Sequence, residues 1–186
     1  MTAIIADTIE NNRQKVIDIL KSDGAFETLI ALLNNPRTTP SMKKQCAMGL
    51  VELEDNRAVS PLINQCLKAG KNRNGTFIYV LSFFNCTGHV KELIKLGFES
   101  SYEARSHICD ILNKIDEIEP QEKQMLLETL KIRKSLVMNQ KIVRFEDLEF
   151  IENCIYLIGE MSDTVLAKVI PFRPRLSATG FQPVIV

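Results

Sequence analysis

Apolar positions along this chain recur in blocks, and the blocks fall into register with one another. Leu29-Ile30 lies 33 residues before Leu62-Ile63, which lies 31 before Leu93-Ile94. The same offsets carry Ile17 and Leu20 onto Leu50 and Leu53, and those onto Leu81 and Phe84. Within a block, apolar residues return every three or four positions, stop at a short polar corner, and resume at the same spacing. That alternation predicts two amphipathic helices per block. A repeat of about 30 residues predicts that such pairs stack, because one pair alone cannot bury its apolar face.

The expected pairs span 7–34, 41–69, 74–98 and 100–138, with a fifth over 146–170. In the first, Ile9, Val16, Ile17 and Leu20 share a stripe. Ser22-Asp23-Gly24 ends that helix, and Phe26, Leu29, Ile30 and Leu33 line the return. The second pair opens at Ser41 as the expected cap and carries Met42, Cys46, Leu50 and Leu53. After the corner Glu54-Asp55-Asn56-Arg57 come Val59, Leu62, Ile63 and Cys66, with Pro61 tolerated in the first turn. Thr76 to Phe84 is almost wholly apolar, which predicts a helix covered on both sides. Ser100 and Glu103 stand at capping-box spacing before Ala104, Ile108, Ile111, Leu112 and Ile115. A long helix follows over 121–138. From 171 to 186, Pro171, Pro174, Pro183 and Gly180 exclude a regular helix, while Phe172, Leu176 and Phe181 keep the segment apolar. The expectation is an all-α superhelix of four to five hairpins over 1–170, with 171–186 extended along the last repeat.

One stretch resembles a known repeat. AMGLVELEDNRAVSPLI (47–63) is similar to the HEAT repeat, in the short bacterial form related to phycobilisome lyase repeats, whose core runs ALGELGDPRAVPPLI. Asp55, Arg57, Ala58, Val59, Pro61, Leu62 and Ile63 match; Asn56 stands where the proline is usual. IGEMSDTVLAKVI (158–170) repeats the likeness with Gly159, Glu160 and Asp163. The resemblance implies that Asp55 caps the second helix and that Arg57 ties neighbouring repeats. It also implies a stack that holds a partner and does no chemistry. Small stand-alone stacks of this type resemble bacterial immunity proteins, which occlude a toxin.

Charge and side-chain chemistry narrow the picture further. Lys+Arg and Asp+Glu are 23 each, so no global field draws the chain to nucleic acid or anionic lipid. The five cysteines (Cys46, Cys66, Cys86, Cys109, Cys154) lie singly among apolar neighbours, as small packed hydrophobes of a reducing compartment do. The N-terminal stretch lacks a basic region before its apolar residues, and a cytoplasmic location is expected. His89 and His107 are 18 residues apart, and His107 and Cys109 point to different faces of one helix. No phosphate loop, nucleophile elbow or metal-ligand spacing occurs. Glu52, Glu54 and Asp55 read as a capped corner in preference to an acid/base pair. No catalytic residue, cofactor or metal is expected.

Two surfaces remain as candidates for a protein partner. Asn64, Gln65 and Lys68 are expected to face away from the core on one repeat, and Lys91, Glu92 and Lys95 on the next. The other is a charge reversal: Lys131, Arg133, Lys134, Lys141 and Arg144 precede Glu146, Asp147, Glu149 and Glu152. It suits either a charged partner or two helix dipoles. The acidic part would suit a basic nuclease toxin. Rival classes are a HEAT-type nucleic-acid binder or a glycosylase- or lyase-like enzyme, and an assembly subunit. The absence of tryptophan and the presence of only three tyrosines count against the nucleic-acid class.

Overall fold

The computed structural model describes residues 2–163, with side chains from residue 9 onward. The expected extended segment 171–186 and the second half of the fifth hairpin lie outside the described residues. Nine α-helices follow one another among those described: α1 (Thr2–Leu20), α2 (Ala25–Asn34), α3 (Pro40–Val51), α4 (Val59–Ala69), α5 (Gly75–Leu81), α6 (Val90–Phe98), α7 (Tyr102–Leu112), α8 (Pro120–Met138) and α9 (Phe145–Glu160). Two short strands, β1 (Glu117–Ile118) and β2 (Ser162–Asp163), pair in parallel and join the corner before α8 to the chain after α9. The fold is all-α.

The odd-numbered helices α1, α3, α5, α7 and α9 stack each on the next, while α2, α4 and α6 form a second layer. Across the layers the tightest pairs are α2–α3, α4–α5, α6–α7 and α8–α9. These straddle the hairpins expected from the sequence. The links 35–39, 70–74 and 99–101 join three of these pairs, and the longer corners 52–58 and 82–89 lie between α3 and α4 and between α5 and α6; the short link 21–24 is the exception, since α1 packs more on α3 than on α2. The register residues nonetheless fall where the periodicity puts them. Leu29, Leu50, Leu62, Leu81 and Leu93 are all fully buried in one core between the layers. Each such side chain contributes about 1.5 to 3 kcal/mol.

Polar ties run along one edge of the stack, from each corner to the next. Arg57 lies 4.2 Å over the Phe26 ring and 3.4 Å from Glu27. Asn85 N–H donates to the Asn56 side-chain oxygen at 3.0 Å, so the asparagine that replaces the usual proline joins two corners. Lys114 Nζ donates to the Ser82 carbonyl at 3.0 Å. Asp55 accepts from the Arg57 backbone N–H at 2.9 Å and pairs with its guanidinium at 2.6 Å. Those hydrogen bonds hold the Asp55 carboxyl below the usual range.

Glu54, just before Asp55, has φ 50, a left-handed conformation that costs a residue with a Cβ about 1 to 2 kcal/mol. In the repeat that this segment resembles, the same position is glycine. Glu54 is exposed and loses no packing on truncation. Glu54→Gly is expected to stabilise the protein by about 0.5 to 1 kcal/mol, the relief being partly offset by glycine's freedom when unfolded. A urea melt whose midpoint falls in this variant would show that the corner is not strained.

Three local expectations are corrected. The cap of α3 is Thr39, whose Oγ1 accepts from Met42 N–H at 3.3 Å; Pro40 is pre-set for the first helical position, which moves the cap one residue before it. Ser41 instead accepts from Asn12 Nδ2 at 3.2 Å, joining α1 to α3. Ser101, not Ser100, caps α7, accepting from Ala104 N–H at 3.4 Å. Ser100 is buried and accepts from Asn74 Nδ2 at 2.9 Å. Finally, α5 is not covered all round. Tyr79 and Phe83 are exposed and meet edge to face at 5.1 Å, because the neighbours α3, α4 and α7 leave one arc open.

The end of the stack departs from the expected fourth hairpin, 100–138. There α9 settles on both α6 and α7, and α8 takes α9 as its principal neighbour. Gly97 makes this possible: a Cβ there would overlap the Phe150 ring, with Cε1 only 2.6 Å away. Phe150 in turn meets Phe98 edge to face at 5.3 Å. Helix α8 reaches the end of α6 through Arg133, 3.6 Å over the Phe98 ring.

Candidate partner-binding surfaces

Of the ridge expected from the sequence, Asn64, Lys68, Lys91, Glu92 and Lys95 are exposed on α4 and α6. Gln65 is not. It is only 6% exposed, and its side-chain oxygen is buried without a hydrogen-bond partner among the described residues. The physical reason is the number of neighbours. Helix α4 packs against α2, α5 and α6 at once, so its buried arc is wider than its apolar stripe and takes in Gln65.

The charge reversal resolves largely into internal pairs. Arg105, on α7, is buried, and its Nη1 lies 2.7 Å from Asp147. Its Nε donates to the Gly97 carbonyl at 3.0 Å and its Nη1 to the Glu146 carbonyl at 3.1 Å. One side chain therefore pins α6, α7 and the first turn of α9. Lys134 pairs with Glu152 at 2.8 Å between α8 and α9. Arg144 lies 3.8 Å from Glu146 and 3.7 Å from Asp147, both in the first turn of α9, where anions suit the helix dipole. Glu149 is half-buried and in none of the ion pairs among the described residues.

A surface that the sequence reasoning missed lies on α8. Its inner stripe, Leu126, Leu130 and Val137, is buried. One position earlier in each turn runs a second stripe, Met125, Ile132 and Leu136, with Ile132 64% and Leu136 63% exposed. The following link and the start of α9 add Ile142, Val143 and Phe145, of which Ile142 is 81% exposed. Lys131 and Lys141, in none of the ion pairs among the described residues, flank these apolar positions in sequence. The signal was present in α8: its apolar residues occupy more than one helical face, more than a single covered stripe requires.

Nucleophile chemistry finds little footing among the described residues. Burial pushes the Cys46 and Cys86 thiols up to about 11 and raises Cys66 further, which keeps all three protonated and inert. Cys109 is drawn the other way by a hydrogen bond with Cys154, whose own thiol is held protonated by that bond and by burial. Asp110 and Glu149, which line the same shallow hollow, oppose a thiolate there. His107 faces Asp110 at 3.9 Å and the Tyr79 ring at 5.7 Å. No cluster of three metal-ligating side chains occurs among the described residues, and no described helix is long and apolar enough to cross a membrane. No family model matches the chain, and no match was found among curated proteins or solved structures.

Proposed function

We propose that this protein is a non-enzymatic, HEAT-like binding module that holds a protein partner on the outer stripe of α8 and the link that follows it. The supporting observation is the exposure of Ile132, Leu136, Ile142 and Phe145 within one short stretch of chain. Soluble proteins rarely leave large apolar side chains exposed side by side unless something binds there. Lys131 and Lys141 beside them suit a partner with an apolar centre and an acidic surround. Asp147 and Glu152 are already paired within the chain, which is why the α8 stripe, and not the acidic segment, carries the proposal. A toxin-neutralising role is one form that such binding would take, and a subunit of a larger assembly is another.

The test is affinity enrichment from the source cell with wild type, Ile132→Glu/Leu136→Glu and Lys91→Gln/Lys95→Gln. The expected result is a protein recovered in near-equimolar amount with wild type and with the lysine variant. Recovery with the glutamate variant should fall about tenfold or more, since charge at an apolar interface centre leaves it unpaired. Equal recovery with all three proteins would refute the α8 surface.

A further inference from the structure

We infer that a second, separate site binds a small phosphorylated ligand in the hollow between the start of α3 and the end of α4. The hollow has a volume of about 270 Å3 and is lined by Lys43, Lys44, Lys68 and Arg73, with no carboxylate in its wall among the described residues. Among the described residues none of these four cations forms an ion pair; Arg73 spends its Nε on the Ala69 carbonyl at 3.2 Å. Lys68 and Arg73 stand by the C-terminal end of α4, where the helix dipole favours cations. Lys43 and Lys44 have no such excuse. They sit near the N-terminal end of α3, a helix with no acidic residue in its first turn, where the dipole opposes positive charge.

Gln65 supplies the independent observation. It lines the same hollow, is 6% exposed, and its buried side-chain oxygen has no partner among the described residues. A buried amide left unpaired destabilises a fold, so its presence against four cations needs a reason. A phosphorylated ligand gives one. Its oxyanions would meet the ammonium and guanidinium groups and draw round the Gln65 side chain, whose oxygen has no open surface as the side chain stands, so that the amide reaches the ligand. Turned over about its last bond, the same amide would offer N–H groups to an oxyanion. The volume suits a phosphorylated small molecule and is too small for a folded segment.

The probes are inorganic tripolyphosphate and a hexose phosphate, titrated calorimetrically into the full chain and four variants. Saturable 1:1 binding of at least one probe is expected. Lys43→Gln/Lys44→Gln should weaken it about tenfold or more, and Lys91→Gln/Lys95→Gln, with the same change in net charge, less than about twofold. Gln65→Leu should weaken binding while the unliganded protein melts at the same or a higher temperature, since an orphaned polar group is removed. Gln65→Glu should weaken it further by repelling the anion. No binding of either probe at millimolar concentration would overturn the site, and so would equal losses from the two lysine pairs. Tighter binding to duplex DNA than to tripolyphosphate would overturn the small-ligand assignment in favour of a backbone track.

Discussion

Arg105→Met should destabilise the protein by about 3 to 5 kcal/mol, the range seen when one partner of a buried ion pair is removed. The side chain is 7% exposed and serves three groups: the Gly97 carbonyl, the Glu146 carbonyl and the Asp147 carboxylate. Methionine fills much of the volume but takes one donor from each of the three, leaving the Gly97 carbonyl with the 3.3 Å bond from Ser100 N–H and Asp147 with the 3.7 Å pairing to Arg144. Asp147→Asn keeps the two backbone bonds and removes only the charge pair. Its side chain is partly exposed, so a smaller loss is expected, about 1 to 2 kcal/mol. Urea melts of the two variants check both the size and the order of the effects. A loss below about 1 kcal/mol for Arg105→Met would mean that α9 does not depend on this anchor.

Leu81→Ala should cost about 2 to 5 kcal/mol, and Leu50→Ala a similar amount. Both leucines are fully buried and lie on successive odd-layer helices that pack directly on each other. A cavity at Leu81 is felt by α3, α4 and α7, which all pack on α5, so one relaxed neighbour cannot close it. In a stack whose units each depend on their neighbours, the loss should appear in the main unfolding transition and not as fraying of one end. Unchanged urea midpoints would show that these positions are not core.

The stripes were legible because burial on a helix face leaves a period, and a period survives in the sequence alone. Leu29, Leu62 and Leu93 sit 33 and 31 residues apart and occupy equivalent buried places. Arg57 was legible for a different reason, and Asp55 in part: it caps the short 3-10 turn Asn56–Ala58 that leads into α4, not α4 itself, whose first turn has no side-chain cap. Their interactions are local to one corner, apart from the reach of Arg57 to Phe26 and Glu27 that the resemblance implied.

What failed to show was whatever depends on which neighbour covers a given face. Gln65 is polar, yet α2, α5 and α6 close around α4 and bury it. Ile132 and Leu136 are apolar, yet α9 covers only the adjacent stripe of α8. Asp147 and Glu152 looked like a free acidic face because Arg105 is 42 residues away from the first and Lys134 lies on another helix from the second. Gly97 carried no signal of its own, although the absence of its Cβ is what admits Phe150.

Methyl-resolved NMR of the full chain with a soluble paramagnetic agent measures the bare outer face of α8 without needing a partner. The Ile132 and Leu136 methyls should broaden strongly, while those of Leu126 and Leu130, one helical position away, keep their intensity. Protection of Ile132 and Leu136 to the level of Leu126 would mean that this face is already covered within the protein, and the proposed docking surface would be lost.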